Sequence, residues 1–234
     1  MIKLLCNGGC GDACMVYAKL FSKDCPFTLD QQYTLHHTEV HRTLLPAISS
    51  FYRTQHINAY VDKIDNWQQY LKLYRKDYTY LLDTSWQGIN EAEPCWEINP
   101  KAPLIYEKQQ DIEVLVAPFA GRDATRTFTF DDIKALHAKH GKRVHYIGKG
   151  NTTTTNVIQS IVGDLSLINI TSMQELVNLI CSCDVLVGHS GFCVFLAGLA
   201  QKKVYCVSEG RPTQIRVHPS WNVQYIKTLN EVVL

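Results

Sequence analysis

The chain reads as an α/β protein made of two successive doubly wound domains, and three stretches carry that expectation. Met1–Leu5 is an apolar strand that runs into a glycine-rich turn and a helical pattern, the arrangement that opens many doubly wound domains. Asp184–Val207, DVLVGHSGFCVFLAGLAQKKVYCV, repeats that order: apolar run, tight turn Gly188-His189-Ser190-Gly191, small-residue helix, second apolar run. Between them, Asn99–Gln110 carries Pro100, Pro103 and a polar cluster, the composition of an interdomain linker. The domains are therefore expected over residues 1–104 and 105–234.

After the first strand comes Asn7-Gly8-Gly9-Cys10-Gly11-Asp12, a spacing that is not GxGxxG. Its glycines let the backbone approach a ligand, and Asp12 falls at the expected helix start, facing the crevice at the carboxyl end of the sheet. An Asp there is either an N-cap or a general base. The helix runs through Met15, Tyr17 and Leu20. Asp30–His56 has a weaker pattern, with a helix expected to break at Pro46. His37 and His41 share a face of it, but no third metal ligand is evident, so solvated or capping histidines are the better reading. Ile57–Val61 reads as a strand, Trp67–Tyr74 as an amphipathic helix and Tyr78–Asp83 as a buried strand. The many aromatics of this half have the periodicity of core residues.

The second series starts with a strand at Glu113–Pro118, a helix at Asp131–Lys139 and a strand at Arg143–Ile147. The loop between the first strand and helix holds Arg122, Thr125 and Arg126. Guanidinium forks suit a diphosphate, because each donates two coplanar hydrogen bonds; solvated surface arginines are the alternative. Gly148-Lys149-Gly150-Asn151 followed by four threonines is a turn and helix start, with hydroxyls for a ribose or for capping. Leu167–Ile170 reads as a strand, and Ser172-Met173-Gln174-Glu175 as a capping box opening a helix through Cys181. At the turn Gly188–Gly191 the first amides of the next helix point above the sheet edge, a setting that favours an anion, most often a phosphate.

Composition excludes several classes. With 46% hydrophobic and 19% charged residues the 234-residue chain is an ordinary globular protein. Net charge is +1, and residues 1–110 hold 11 Lys/Arg against 12 Asp/Glu, so neither half is a basic nucleic-acid module. Nine cysteines, an odd number and several inside apolar runs, point to reduced thiols and a cytoplasmic setting. Cys6-x3-Cys10-x3-Cys14 has no second pair at zinc spacing, so no metal is expected. No apolar stretch has membrane-spanning length.

Taken together these residues resemble the heptosyltransferase-type glycosyltransferases, glycosyltransferase family nine. Gly11-Asp12 matches that family's Gly-Asp pair, and Leu81-Leu82-Asp83-Thr84 its strand ending in Asp. Pro118-Phe119-Ala120-Gly121 and Arg126-Thr127-Phe128 match its Pro, small-residue loop and basic-x-aromatic element. Cys183–Gly191 through Ala200 matches its most distinctive stretch. His189 stands where the family usually has Asp, Val194 where it has His, and Arg126 where it often has Lys. The chain is also shorter than is usual there, chiefly in its N-terminal half.

The resemblance implies two facing Rossmann-like domains of GT-B type with a compact N-terminal domain. It implies a nucleotide-sugar donor as substrate rather than any cofactor, and an acceptor that is a saccharide or a modified DNA base. Asp12 becomes the base that deprotonates the acceptor hydroxyl. Gly11, Arg122, Thr125, Arg126, His189, Ser190, Gly191 and Phe192 become the phosphate site, with Lys149, Thr152 and Met173 bordering ribose and base. Transfer is then inverting and metal-independent. Two other readings stay open: a sugar-nucleotide epimerase or hydrolase of similar fold, and a nucleotide-binding protein without turnover, to which the departures at 189 and 194 lend support. The short length also fits a viral enzyme acting on DNA, with Arg42, Arg53, Lys72, Arg75 and Lys76 as a local basic patch.

Overall fold

In the computed structural model the described residues are 2–6, 9–27, 33–36, 39–49, 75–82, 89–90, 93–94, 96–109, 112–119, 127–207 and 217–234. They form two compact units, Met1–Ile105 and Tyr106–Leu234. The expected elements Ile57–Val61 and Trp67–Tyr74 lie outside the described residues, as does His37.

In the first unit β1 (Ile2–Cys6) is the central strand, flanked by β2 (Tyr33–His36) and β3 (Tyr80–Leu82), all parallel. α1 (Cys10–Leu20) follows β1 and packs against α2 (Glu39–Ile48). Every residue of α1 from Ala13 to Leu20 is buried, as expected of a helix apolar on most sides. Trp96 Nε1 donates to the Lys19 carbonyl at 2.6 Å, and the Trp96 ring stands edge-on to Tyr80, 5.6 Å between centroids. A 3-10 turn at Arg75–Asp77 and a two-residue antiparallel pair, β4 (Ile89–Asn90) with β5 (Glu93–Pro94), complete the described elements.

Three expectations need correction here. Pro46 does not break its helix: α2 continues to Ile48, and Ser49 N–H still reaches the Leu45 carbonyl at 3.1 Å. Burial of Leu44, Leu45, Ala47 and Ile48 outweighs the one bond that a proline cannot donate. Tyr33–His36 is a strand that the weak local pattern did not disclose. Asp12 is not the N-cap; Gly9 is, and Asp12 lies three residues further in.

In the second unit five parallel strands, β6 (Val114–Ala117), β7 (Val144–Tyr146), β8 (Val185–His189), β9 (Lys203–Val207) and β10 (Val223–Ile226), stand in the order β10-β9-β8-β6-β7. Beyond β7 a single parallel bridge, Tyr146 with Ser166, takes the place of a further strand. Counted with that bridge, the order is the 3-2-1-4-5-6 of dinucleotide-binding sheets. The expected strand Leu167–Ile170 is a turn instead. Asn169 adopts a left-handed backbone, φ 64°, and one such residue ends an extended run.

The helices are α3 (Phe130–His140), α4 (Thr152–Val162), α5 (Met173–Ser182) and α6 (Phe192–Leu199), with α3 packed on α4 and α5 on α6. Side chains of Thr129, Asn151 and Ser172 cap α3, α4 and α5. One core cluster joins Val114, Val116, Tyr146, Val185, Val187 and Tyr205 on one sheet face. The alternate residues Leu115, Leu186, Val204 and Cys206 are equally buried, which is why these strands read as continuous apolar runs rather than alternating ones. Cys181 and Cys183 are buried free thiols, and no described helix is long and apolar enough to cross a membrane.

Two predictions follow from this packing. Gly198 of α6 lies under the Trp221 indole, where a β-carbon would approach ring atoms to 2.4 Å. Gly198→Ala should therefore lower the melting temperature, an overpacking cost of about 1–3 kcal/mol set against a gain of about 1 kcal/mol in helix propensity; a higher melting temperature would disprove the contact. His140, desolvated and beside Lys139 and Arg143, and His145, desolvated in β7, both have pKa values below the ordinary 6.5. The unfolded chain then binds protons more readily than the native one. Stability should hold above about pH 6.5 and fall as the pH drops below it. Urea melts from pH 8 to 5 should show that fall, and His140→Gln/His145→Gln should flatten it.

Candidate functional site

The reversal of strand order in the second unit lies between β6 and β8, which run out to successive carboxyl ends with Ala117 paired to Gly188. Chain leaving β6 goes one way across the sheet and chain leaving β8 the other, so a crevice opens above this pair. Two loops rim it. The one after β6 begins at Pro118 and Phe119 and closes at Thr127 and Phe128, where an antiparallel bridge joins Phe119 to Thr127 and Phe128 N–H donates to the Pro118 carbonyl at 3.0 Å. Arg122, Thr125 and Arg126 belong to the span between those ends and lie outside the described residues. The other rim is the turn after β8.

That turn has a distinct character. His189 ends β8 only 6% exposed, its ring 4.5 Å from that of Phe128, so the imidazole packs against the base of the arginine loop. Ser190 and Gly191 are partly buried, and Phe192 is the first residue of α6. No side chain caps α6 at Gly191, whereas α3, α4 and α5 each have a side-chain cap. The positive end of the α6 dipole lies at this same end of the sheet.

Lys149 and Thr152 are exposed and Met173 partly buried, all at the carboxyl end of the same sheet: Lys149 after β7, Thr152 opening α4, Met173 opening α5. Phe119 links this region to the crevice. A β-carbon on Gly150 would come within 3.0 Å of its ring and one on Gly148 within 3.3 Å. Gly148 also has φ 130°, a conformation that side chains rarely adopt. The loop after β7 is therefore glycine-rich because Phe119 lies on it. Phe119 and Phe128 stand in motifs that the sequence pointed to, without a contact assigned to either; Asn169 is the organising residue that sequence reading did not single out.

In the first unit Gly11 and Asp12 occupy the first turn of α1, after the central strand β1. Asp12 Oδ2 accepts the Gly9 N–H at 2.8 Å, which satisfies one of the orphan amides at the helix start and orients the carboxylate. Among the described residues there is no group of three His, Cys, Asp or Glu side chains suited to a metal ion. Of the basic patch suggested by the sequence, only the Lys76 side chain is described, and it is exposed.

Neither a protein-family model nor a curated protein sequence matches the chain. Solved structures do. E. coli ADP-heptose heptosyltransferase II matches with a TM-score of 0.57 at 12% identity, over 97% of this chain and 90% of that one. E. coli heptosyltransferase WaaC with ADP matches with a TM-score of 0.60 at 10% identity, over 98% and 97%. A Listeria monocytogenes protein described as a UDP-N-acetylglucosamine 2-epimerase matches with a TM-score of 0.53 at 10% identity, over 89% and 79%.

The hydrogen bond of Asp12 makes a further prediction. Asp12→Ala should cost about 1 kcal/mol of stability in the first unit, while Asp12→Asn, which keeps an acceptor oxygen, should cost less. Thermal melts of the two variants that coincide with each other and with wild type would mean that the carboxylate does not hold the helix start. With the strand order, the crevice and these neighbours in place, the chain has the α/β fold of the heptosyltransferase-type glycosyltransferases.

Proposed function

We propose that this chain is a glycosyltransferase that moves a sugar from a nucleoside-diphosphate donor to an acceptor hydroxyl, with inversion and without a metal ion. The observation that carries the reading is the crevice between β6 and β8, rimmed by the α6 amides on one side and by the ends of the arginine loop on the other. Such a pairing suits a diphosphate, whose oxygens take amide hydrogen bonds and guanidinium forks together. The structural neighbours support the ligand class, since one is a heptosyltransferase described with ADP and another a protein described with UDP.

In the reaction the acceptor oxygen attacks the anomeric carbon as the bond from that carbon to the diphosphate oxygen breaks. Asp12 takes the acceptor proton. The departing nucleoside diphosphate gains charge, which Arg122, Arg126 and the Ser190–Phe192 amides stabilise, so the cationic role often given to a metal belongs to the chain itself. His189 and Thr125 complete the phosphate side, and Lys149, Thr152 and Met173 the nucleoside side. The acceptor is a saccharide or a modified DNA base.

The test is a thermal-shift panel of the full chain with ADP, UDP, GDP, CMP and their sugar conjugates, repeated on Arg126→Ala and Asp12→Asn. A ligand at 100 times its Kd adds about 2.7 kcal/mol to the native state. One nucleotide should raise the melting temperature of wild type and Asp12→Asn but not of Arg126→Ala. Stabilisation by none of them at millimolar concentration would overturn the reading. The epimerase neighbour keeps one competitor in view: nucleoside diphosphate released from the donor with no acceptor present would favour an epimerase or hydrolase.

A further inference from the structure

A buried ionisable ring immediately precedes the turn to which the phosphates are assigned. His189 is the last residue of β8, two positions beyond Val187, and residues two apart on a strand share a sheet face. Val187 belongs to the main core cluster on that face, and so does Val207, the registered partner of His189 on β9. Phe128, whose ring meets the imidazole, is a member of the same cluster. These described neighbours are apolar, and His189 Nε2 is shielded from solvent. One residue further on, Ser190 and Gly191 lead into the first turn of α6.

Of the elements packed on β8, β6 and α6 carry no charged residue, and α6 contributes only the thiol of Cys193. On β9 the titratable side chains are Lys203, Tyr205 and Cys206. Lys203 Nζ donates to the Val233 carbonyl at 3.2 Å and the Tyr205 hydroxyl to the same carbonyl at 2.9 Å. Cys206 is paired with Gly188, one position before His189, and so lies on the other face. Past Phe128, the Asp132 carboxylate accepts from the Thr129 N–H at 3.0 Å and from its hydroxyl at 2.6 Å, while Asp131 pairs with Lys134. These described charges have partners of their own, so a charge arriving at the turn is a new influence on the ring.

A diphosphate at Ser190–Phe192 brings negative charge beside the imidazole. In apolar, water-shielded surroundings an opposite charge at close range favours the charged form of a group by about one to three pKa units. We propose that His189 meets the donor as imidazolium, so that donor binding takes up a proton from solvent and is tighter on the acid side of neutrality. This rests on the donor reading above and concerns the charge state of that same site. The cation also opposes the negative charge that grows on the departing diphosphate, and its proton returns to solvent when the nucleotide leaves. Affinity is then highest below the pKa of the free ring, declines as the pH rises through the interval to the raised value of the bound form, and levels off above it.

Calorimetric titration of the full chain with UDP-glucose, ADP-glucose and GDP-mannose between about pH 6.5 and 8.5 tests it, on wild type and His189→Gln. Both phosphates of a nucleotide sugar are diesters with no proton to exchange near neutrality, so a coupled proton belongs to the protein. For an imidazole near its ordinary value of about 6.5, raised by about one unit on binding, the affinity of the preferred conjugate should fall about fivefold over that range. At pH 7 binding should take up about half a proton, read from the dependence of the heat on the ionisation enthalpy of the buffer. His189→Gln should bind with an affinity independent of pH and exchange no proton, with a melting curve to check its fold. Nitrogen NMR of the histidine rings of wild type, with and without the same conjugate, reads the change of protonation without any variant. A flat wild-type affinity with no proton exchanged overturns this inference and leaves the donor reading standing. A pH dependence that persists in His189→Gln assigns the proton to another group and overturns it equally. If wild type binds none of the three conjugates and none of the nucleotides of the thermal panel, the donor reading fails and takes this inference with it.

Discussion

The pairing of β6 with β8 decides what the rest of the second unit can do. Because those strands are sequence-distant neighbours, joined at Val114 to Val185 and running parallel to Ala117 and Gly188, the chain must leave them in opposite directions. The gap between their carboxyl ends is the place where ligands bind in open α/β sheets. Everything placed around the gap is consistent with a ligand. The loop on one side has Arg122 and Arg126 in its sequence, and the N-cap of the helix on the other, Gly191, supplies no side-chain cap. The His189 and Phe128 rings are both buried and lie 4.5 Å apart, which joins the end of β8 to the close of the loop after β6.

The same edge is built outward by contacts that each use one loop to hold the next. Phe128 returns to Pro118, Phe119 lies on Gly148 and Gly150, and Gly150 is gripped by Asn169. A sheet edge organised in this way is stiffer than separate loops of the same length, since each loop's freedom is restricted by its neighbour as well as by its own ends. The capped helices α3, α4 and α5 add fixed starting points. The chain end is secured by Lys139 to the carbonyls of Asn230 and Val232 and by Tyr205 to that of Val233.

Much of this was legible in the residues. Strands buried on both faces announce themselves as unbroken apolar runs, which is why Val114–Ala117, Val144–Tyr146 and Val185–His189 were expected nearly where they stand. Caps at Asn151 and Ser172 follow from side-chain chemistry within four residues, and so were readable locally. The misreadings have equally local causes. Leu167–Ile170 contains apolar β-branched residues and looked like a strand, but pairing belongs to Ser166 and the left-handed Asn169 stops it. Pro46 looked like a helix end, yet α2 buries enough apolar surface around it to continue. Asp12 looked like a cap because the helix was expected to start at it; the structure puts Gly9 at the cap and gives Asp12 the reciprocal bond.

The sequence by itself determined the class of the protein: two successive series of parallel strands and helices, a glycine-rich turn after the first strand of one series, and a Gly-Ser-Gly turn with small-residue helix in the other. Those features depend on periodicity, turn chemistry and capping, which act over a few residues. Tertiary structure decided the order in which the strands stand side by side, and with it which loops share a crevice. It alone brought Phe119 onto Gly148 and Gly150, and Asn169 onto Gly150. Such contacts join residues about 20 to 30 positions apart in the chain, and no local pattern encodes them; they exist because closing the sheet brings the ends of parallel strands to one edge.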